Sequence, residues 1–277
     1  MGKEMMNSAA IIYIPHGGGP LPLMGHQGHG NLVGFLKKTP ALLPEPDAVL
    51  VVSAHWEMDI PVITSGENPH LIYDYSGFPD HAYEIRYPAP GAPDLAGHVL
   101  EMLSRSGIKA RADKKRGFDH GLYVPLSLMR PRADIPCAQI SLCADLDPLA
   151  HLKIGQALAG LRKQNIWILG SGFSFHNMAA FAMGPHEPDE LDKQNRAFQD
   201  WIKETCAGQD LSPEQRKNRL IRWEFAPHAR TCHPREEHLL PLMICSGAAS
   251  YKRAEVLFDD TIMGRQALAF LWRPGNS

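Results

Sequence analysis

The chain has 277 residues, 44% of them hydrophobic and 21% charged, with a formal net charge of −2. That balance excludes global disorder, and the lack of a long basic block argues against nucleic acid or an anionic membrane as partner. Five cysteines (Cys137, Cys143, Cys206, Cys232, Cys245) without a CxxC pair read as reduced thiols in a cytoplasmic protein.

Residues 1–8 read as a loose N-terminal extension, and the apolar stretch after them is too short for a signal or membrane-spanning segment. Buried strands are predicted at 9–15 ("AAIIYIP"), 48–54 ("AVLVVSA"), 135–142 ("IPCAQISL"), 165–172 ("NIWILGSG") and 253–259 ("RAEVLFD"), all with parallel-strand character. A further run, 266–272 ("QALAFLW"), closes the sheet. Helical patterns lie between them. One starts at Pro93 and Asp94 and stops at Gly107, and one follows Asp147 and Pro148 to Asn165. A third runs over 187–208, and a fourth begins at Ser212 and Pro213. The stretch 61–91, rich in Pro, Gly, Tyr and Asp, reads as a long ordered loop. Strands alternating with helices over 1–277 predict a single α/β domain, a three-layer α/β/α sandwich with a largely parallel or mixed sheet.

Histidine is in excess, at 14 residues. Three strands run directly, or within a short turn, into one: "YIPHGGG" gives His16, "VVSAHW" gives His55 and "ILGSGFSFHN" gives His176. Strand carboxyl ends form the ligand crevice of an open α/β sheet, so these imidazoles are candidates to converge there. Imidazole is the commonest metal ligand and moves protons near neutrality. "RGFDHGLYVPL" adds His120 at the start of a helix or turn, and "HPREEHLLPL" offers His233, Glu236, Glu237 and His238 before an apolar helical run. His233 and His238 sit about 140° apart on a helix, so this is not a HExxH zinc signature. His26 and His29 in "GHQGHG" suit a mobile loop better than a metal site. The glycines after His16 read as clearing room on the open side of a ligand. No GxSxG elbow, GxxxxGK[ST] loop or helix-opening GxGxxG is present.

Taken in order, "HGGGP", "SAHW", "GFDHGLYVPL", "GSGFSFHN" and "HPREEHLLPL" resemble the LigB-like class III extradiol ring-cleavage dioxygenases, in particular the DOPA 4,5-dioxygenase branch. The resemblance runs from about residue 11 to residue 272. It implies an enzyme that opens a catecholic, DOPA-like ring with dioxygen at one non-haem Fe(II), a site that Zn(II) can occupy in purified protein. It also implies His16, His55 and His238 as metal ligands, His176 as acid/base or fourth ligand, and His120 as a catalytic pocket residue. Glu237 is the alternative third ligand, since the wider class uses two histidines and a carboxylate, and His233 is a more remote one. Tyr123, with Tyr73, Tyr75 and Tyr83, is a candidate to border the substrate. The histidines alone also suit a zinc-dependent hydrolase or a non-catalytic protein with a vestigial metal pocket.

Overall fold

The computed structural model describes residues 9–182 and 189–273. The expected N-terminal extension and the first two residues of the helix predicted over 187–208 lie outside them. Among the described residues eight strands form one sheet: β1 Ile11–Pro15, β2 Ala48–Met58, β3 Val62–Thr64, β4 Arg111–Asp113, β5 Cys137–Cys143, β6 Ile166–Gly172, β7 Glu255–Ile262 and β8 Arg265–Trp272. Their order across the sheet is β4-β3-β5-β2-β6-β1-β8-β7. The centre β5-β2-β6-β1 is parallel, as its unbroken apolar runs require of strands buried on both faces. β8 joins β1 antiparallel and β7 pairs with β8 as a hairpin. The parallel character expected of 253–259 is therefore corrected: the two-residue turn Met263–Gly264, with φ of +52° and +79°, reverses the chain.

The helices are α1 Gly30–Lys38, α2 Pro93–Arg105, α3 His120–Met129, α4 Pro148–Leu158, α5 Met178–Ala182, α6 Asp189–Ala207, α7 Pro213–Ile221, α8 Ala229–Cys232 and α9 Leu240–Ala248. Local chemistry sets several of their starts. Asp147 accepts the Leu149 and Ala150 N–H groups ahead of Pro148, and Ser212 forms a reciprocal cap with Gln215. Alternation along β6 separates the two helical layers. A side chain added at Gly170 would strike Cys245 and Pro241 of α9, whereas Ser171 Oγ donates to Gly121 O of α3. The result is a three-layer α/β/α sandwich with a mixed sheet.

The stretch 61–91 is not one loop. It contains β3, a short 3-10 turn over Asp80–Tyr83, and a bridge from Gly91 to Cys137. β2 also outruns its predicted end at residue 54 and continues through His55 to Met58. All five cysteines are buried and unpaired. Among the described residues no helix is long and apolar enough to cross a membrane.

Candidate active site

β1 and β2 flank β6, so the carboxyl ends of three adjacent strands deliver the site. His16 follows β1 directly, and its N–H donates to Gly172 O at 3.2 Å. Its ring is buried, with Nδ1 3.1 Å from Ser171 Oγ. That hydroxyl spends its proton on Gly121 O, a carbonyl that can only accept, so His16 must donate from Nδ1. Its Nε2 lone pair then faces His55 Nε2 at 2.9 Å. His55 sits in a bulge of β2. Pairing with β5 stops at Val52↔Ile140 and resumes at Glu57↔Leu142, and pairing with β6 ends at Ser53↔Ser171. The slack turns the imidazole off the sheet edge toward His16.

His120 opens α3, whose N-cap is Asp119. The buried Asp119 carboxylate accepts from Gly121 N–H (3.1 Å), Ser53 Oγ (2.7 Å), Arg116 (3.1 Å) and Gln139. This network pins the helix start to β2 and β5. Gly121 has to be glycine, because a Cβ there would lie 2.5 Å from Ser53 Oγ. His120 Nδ1 donates to Asp74 Oδ1 at 2.8 Å, and Asp74 Oδ2 lies 3.8 Å from His55 Nδ1. Across the site, Glu237 Oε1 accepts from His238 Nδ1 at 2.9 Å and from His176 Nδ1 at 3.0 Å. The His176 and His238 rings stack with centroids 3.4 Å apart. Arg235 grips Glu57 at 2.5 and 2.6 Å and reaches Glu237 Oε2 at 3.5 Å.

Burial, reinforced by the neighbouring imidazoles, holds His16 and His238 well below the usual histidine range. Burial and His120 do the same for His55 against the opposing pull of Asp74. Burial alone would raise the Glu237 carboxyl, but the His176 hydrogen bond and the Arg235 charge outweigh it and hold it low. Asp74 is likewise held low by His120 in spite of burial. Buried, neutral imidazoles beside ionised carboxylates are the state in which histidine binds a cation.

The ring nitrogens of His16, His55 and His238 lie within 4.8 Å of one another. Two nitrogens each about 2.1 Å from one ion, at a right angle, would stand about 3.0 Å apart, close to the 2.9 Å between His16 and His55. The Nδ1 atoms of His16, His55 and His238 face Ser171, Asp74 and Glu237, the kind of outer partner that fixes a ligating tautomer. These three residues therefore suit one metal ion. Glu237 groups instead with His176 and His238. His233 is further removed: its Nε2 donates to Ser174 O at 2.9 Å and its ring packs on Phe198 and Trp223.

A cavity of about 280 Å³ opens over this floor, lined by all five site histidines together with Tyr75. Tyr123 does not reach it. Its hydroxyl donates to Tyr75 OH at 2.9 Å from behind, and Tyr75 passes the bond to Ala82 O at 2.6 Å. Tyr73 and Tyr83 face a separate surface cleft. Gly17 needs its glycine for the backbone, with φ at +85° and a Cβ that would lie 2.6 Å from Pro22 and 2.9 Å from His29. Its missing side chain makes room for those neighbours, and Gly17, Gly18 and Gly19 all line the cavity beside His16. Gly18 N–H donates to His29 Nε2 at 3.0 Å, and His29 Nδ1 in turn meets His26 Nδ1 at 3.2 Å. The expected mobile histidines thus brace the glycine turn. Asp74 and Ser171 are the functional positions missed in the sequence. Each is a polar residue framed by aromatics or glycines ("YDY", "GSG").

A model of the catalytic LigB subunit of aromatic ring-opening dioxygenase matches residues 12–266. The dioxygenase tasH of Hapsidospora irregularis is 38% identical, over 96% of this chain and 86% of its own length. A 4,5-DOPA dioxygenase extradiol of Beta vulgaris is 41% identical over 94% of each chain. Among solved structures, an uncharacterized protein from Escherichia coli K12 superimposes with a TM-score of 0.72 at 25% identity, covering 95% of this chain and 99% of its own.

Proposed function

The chain belongs to the LigB family of aromatic ring-opening dioxygenases and is an extradiol ring-cleavage enzyme, and from that premise we propose that it cleaves a catechol with dioxygen at one Fe(II) held by His16, His55 and His238. The observation that carries this reading is the convergence of those three ring nitrogens within 4.8 Å on the floor of the cavity. Fe(II), when bound, would supply the redox chemistry that zinc, which suits the same nitrogen donors, lacks.

The remaining work falls to the chain's own residues. His176 lines the cavity with its Nδ1 proton committed to Glu237, so its Nε2 is free to take a proton from a catechol hydroxyl. Glu237 then faces the imidazolium it helped to form. The same carboxylate keeps the proton of His238 on Nδ1 and leaves Nε2 for the metal. His120, oriented by Asp74, offers a second proton-handling nitrogen close to His55, their ring centroids 3.9 Å apart. Five buried, unpaired thiols fit a reducing compartment, the cytoplasm.

The test is to load metal-free protein anaerobically with Fe(II), add catechols, and admit oxygen. Oxygen uptake with a yellow ring-fission product is expected, and the zinc-loaded protein should be inactive. His176→Ala should keep its metal while ring cleavage falls by about 10²–10⁴-fold. Loss of the metal in that variant would make His176 a ligand instead. Silence across the panel with zinc-dependent ester hydrolysis would replace the dioxygenase by a hydrolase.

A further inference from the structure

The character of the cavity wall changes with distance from the imidazoles. His16, His120 and His238 are buried at the floor, whereas Met178 at the rim is 66% exposed. Leu21, Phe78, Phe173, Phe181 and Met263 form the apolar part of the wall with Met178, beside Tyr75, Ser76 and the glycine turn. They are held there by built structure. Phe181 of α5 packs edge-on to Phe173 and Phe175, at 5.8 and 5.5 Å between centroids. Phe78 packs on Tyr75 at 5.4 Å. Met263 is the tip of the β7–β8 hairpin, and its N–H is anchored to Gly28 O at 2.8 Å. Gly28 permits that approach, since a Cβ there would sit 3.3 Å from Met263 Cα. Among the described residues that line the cavity, none is Asp, Glu, Lys or Arg.

Resting on the ring-cleavage reading for the chemistry at the floor, we infer that the substrate is a catechol whose ring substituent is uncharged and apolar, rather than the zwitterionic side chain of a DOPA-like amino acid. The catechol oxygens face the imidazoles, and the substituent runs outward along Phe173, Phe181, Met263 and Met178. A charged group placed against the buried part of that wall loses water and meets no counter-charge among the described lining residues, whereas each methylene gains by leaving water. The volume of about 280 Å³ is at the small end for ligand cavities and suits one ring with a short chain.

Four catechols that share the ring and differ in the charge of a short chain decide the matter. They are 4-propylcatechol, 3-(3,4-dihydroxyphenyl)propionate, dopamine and L-DOPA. Binding to the full-length Fe(II)-loaded protein is measured without oxygen by difference absorbance, and oxygen uptake is then followed for each. 4-Propylcatechol should bind roughly tenfold or more tightly than any charged member, with kcat/KM in the same order. Met178→Lys, at an exposed position, should raise the propionate-to-propyl ratio several-fold. A charged member that binds as tightly as 4-propylcatechol, or an unchanged ratio in Met178→Lys, overturns the inference. Tighter 4-propylcatechol binding without oxygen uptake from any catechol would sink the ring-cleavage reading and leave the apolar mouth standing. Uptake with the opposite order would do the reverse.

Discussion

Replacing Glu237 by Gln separates a residue that orients ligands from one that is a ligand. In the folded protein one carboxylate oxygen accepts from His238 Nδ1 at 2.9 Å and from His176 Nδ1 at 3.0 Å. A glutamine amide oxygen can still accept one of these bonds but carries no charge, so both histidines lose part of the pull that keeps the proton on Nδ1. Losing such an outer partner weakens metal binding by about 10–100-fold, which is about 1.4–2.7 kcal/mol. Arg235 keeps its two short bonds to Glu57, so the loop should hold its shape. His238→Ala, by contrast, removes one of the three converging nitrogens outright. The assay is a competition titration of metal-free protein with Zn(II) against a chromogenic chelator. Glu237→Gln should still take up one equivalent at the weakened affinity, and His238→Ala should take up no tight equivalent. The opposite pattern, with stoichiometric metal in His238→Ala and none in Glu237→Gln, would return the carboxylate to the ligand set and refute the geometry argued above.

Gly17→Ala should destabilise the protein by about 2–5 kcal/mol, the sum of left-handed backbone strain and overpacking against Pro22 and His29. Gly34→Ala, in α1 with open space around it, should instead stabilise by up to about 1 kcal/mol. Urea unfolding of both variants checks the pair, and a shared sign would contradict it. Burial and His26 bring His29 down to about 4, against about 6.5 in an unfolded chain. The unfolded state therefore binds the extra proton first, so native stability is full above about pH 6.5 and falls by up to about 3 kcal/mol as the pH drops through 4. His29→Leu removes this dependence. The stability difference between metal-free wild type and variant should shrink from pH 7 to pH 4, and a constant difference would exclude His29 as its source.

Legibility in the sequence followed the range of the interaction. The β-branched runs before His16 and His55 mark buried strands whatever they pair with, and apolar periodicity with Pro and Ser caps located α2, α4 and α7. The bulge that turns His55 inward arises from the register of β2 against β5, which no local pattern encodes. Asp74 lies 46 residues from the His120 it orients, and Ser171 lies 155 residues from His16. Neither pairing leaves a spacing signal. β3 and β4, at three residues each, are shorter than the window in which alternation can be counted. Tyr123 shows the limit from the other side. An apolar helix starting at His120 made it a fair candidate for the substrate wall, but the helix turns it behind Tyr75, which the segment ahead of the Asp80–Tyr83 turn supplies.

The site is prepared by assigning protons before any ligand arrives. A metal needs the lone pairs of neutral imidazoles, and a histidine keeps its proton on Nδ1 only if an acceptor stands there. Ser171 serves His16 because Gly121 O consumes the serine's own proton, and Glu237 serves His238 and His176 together. Burial does the rest by making the charged imidazolium costly. The same logic extends one layer outward. The glycine turn beside His16 is fixed by the Gly18 N–H on the unprotonated Nε2 of His29, so a proton on His29 removes that acceptor and frees the turn next to His16. Acid therefore threatens the turn through a histidine that faces no substrate. On this reasoning, replacing His29 by glutamine, which keeps an acceptor but does not titrate, should preserve metal affinity at pH 5 better than leucine does. Equal metal affinities in the two variants at that pH would show that the turn holds without the bond.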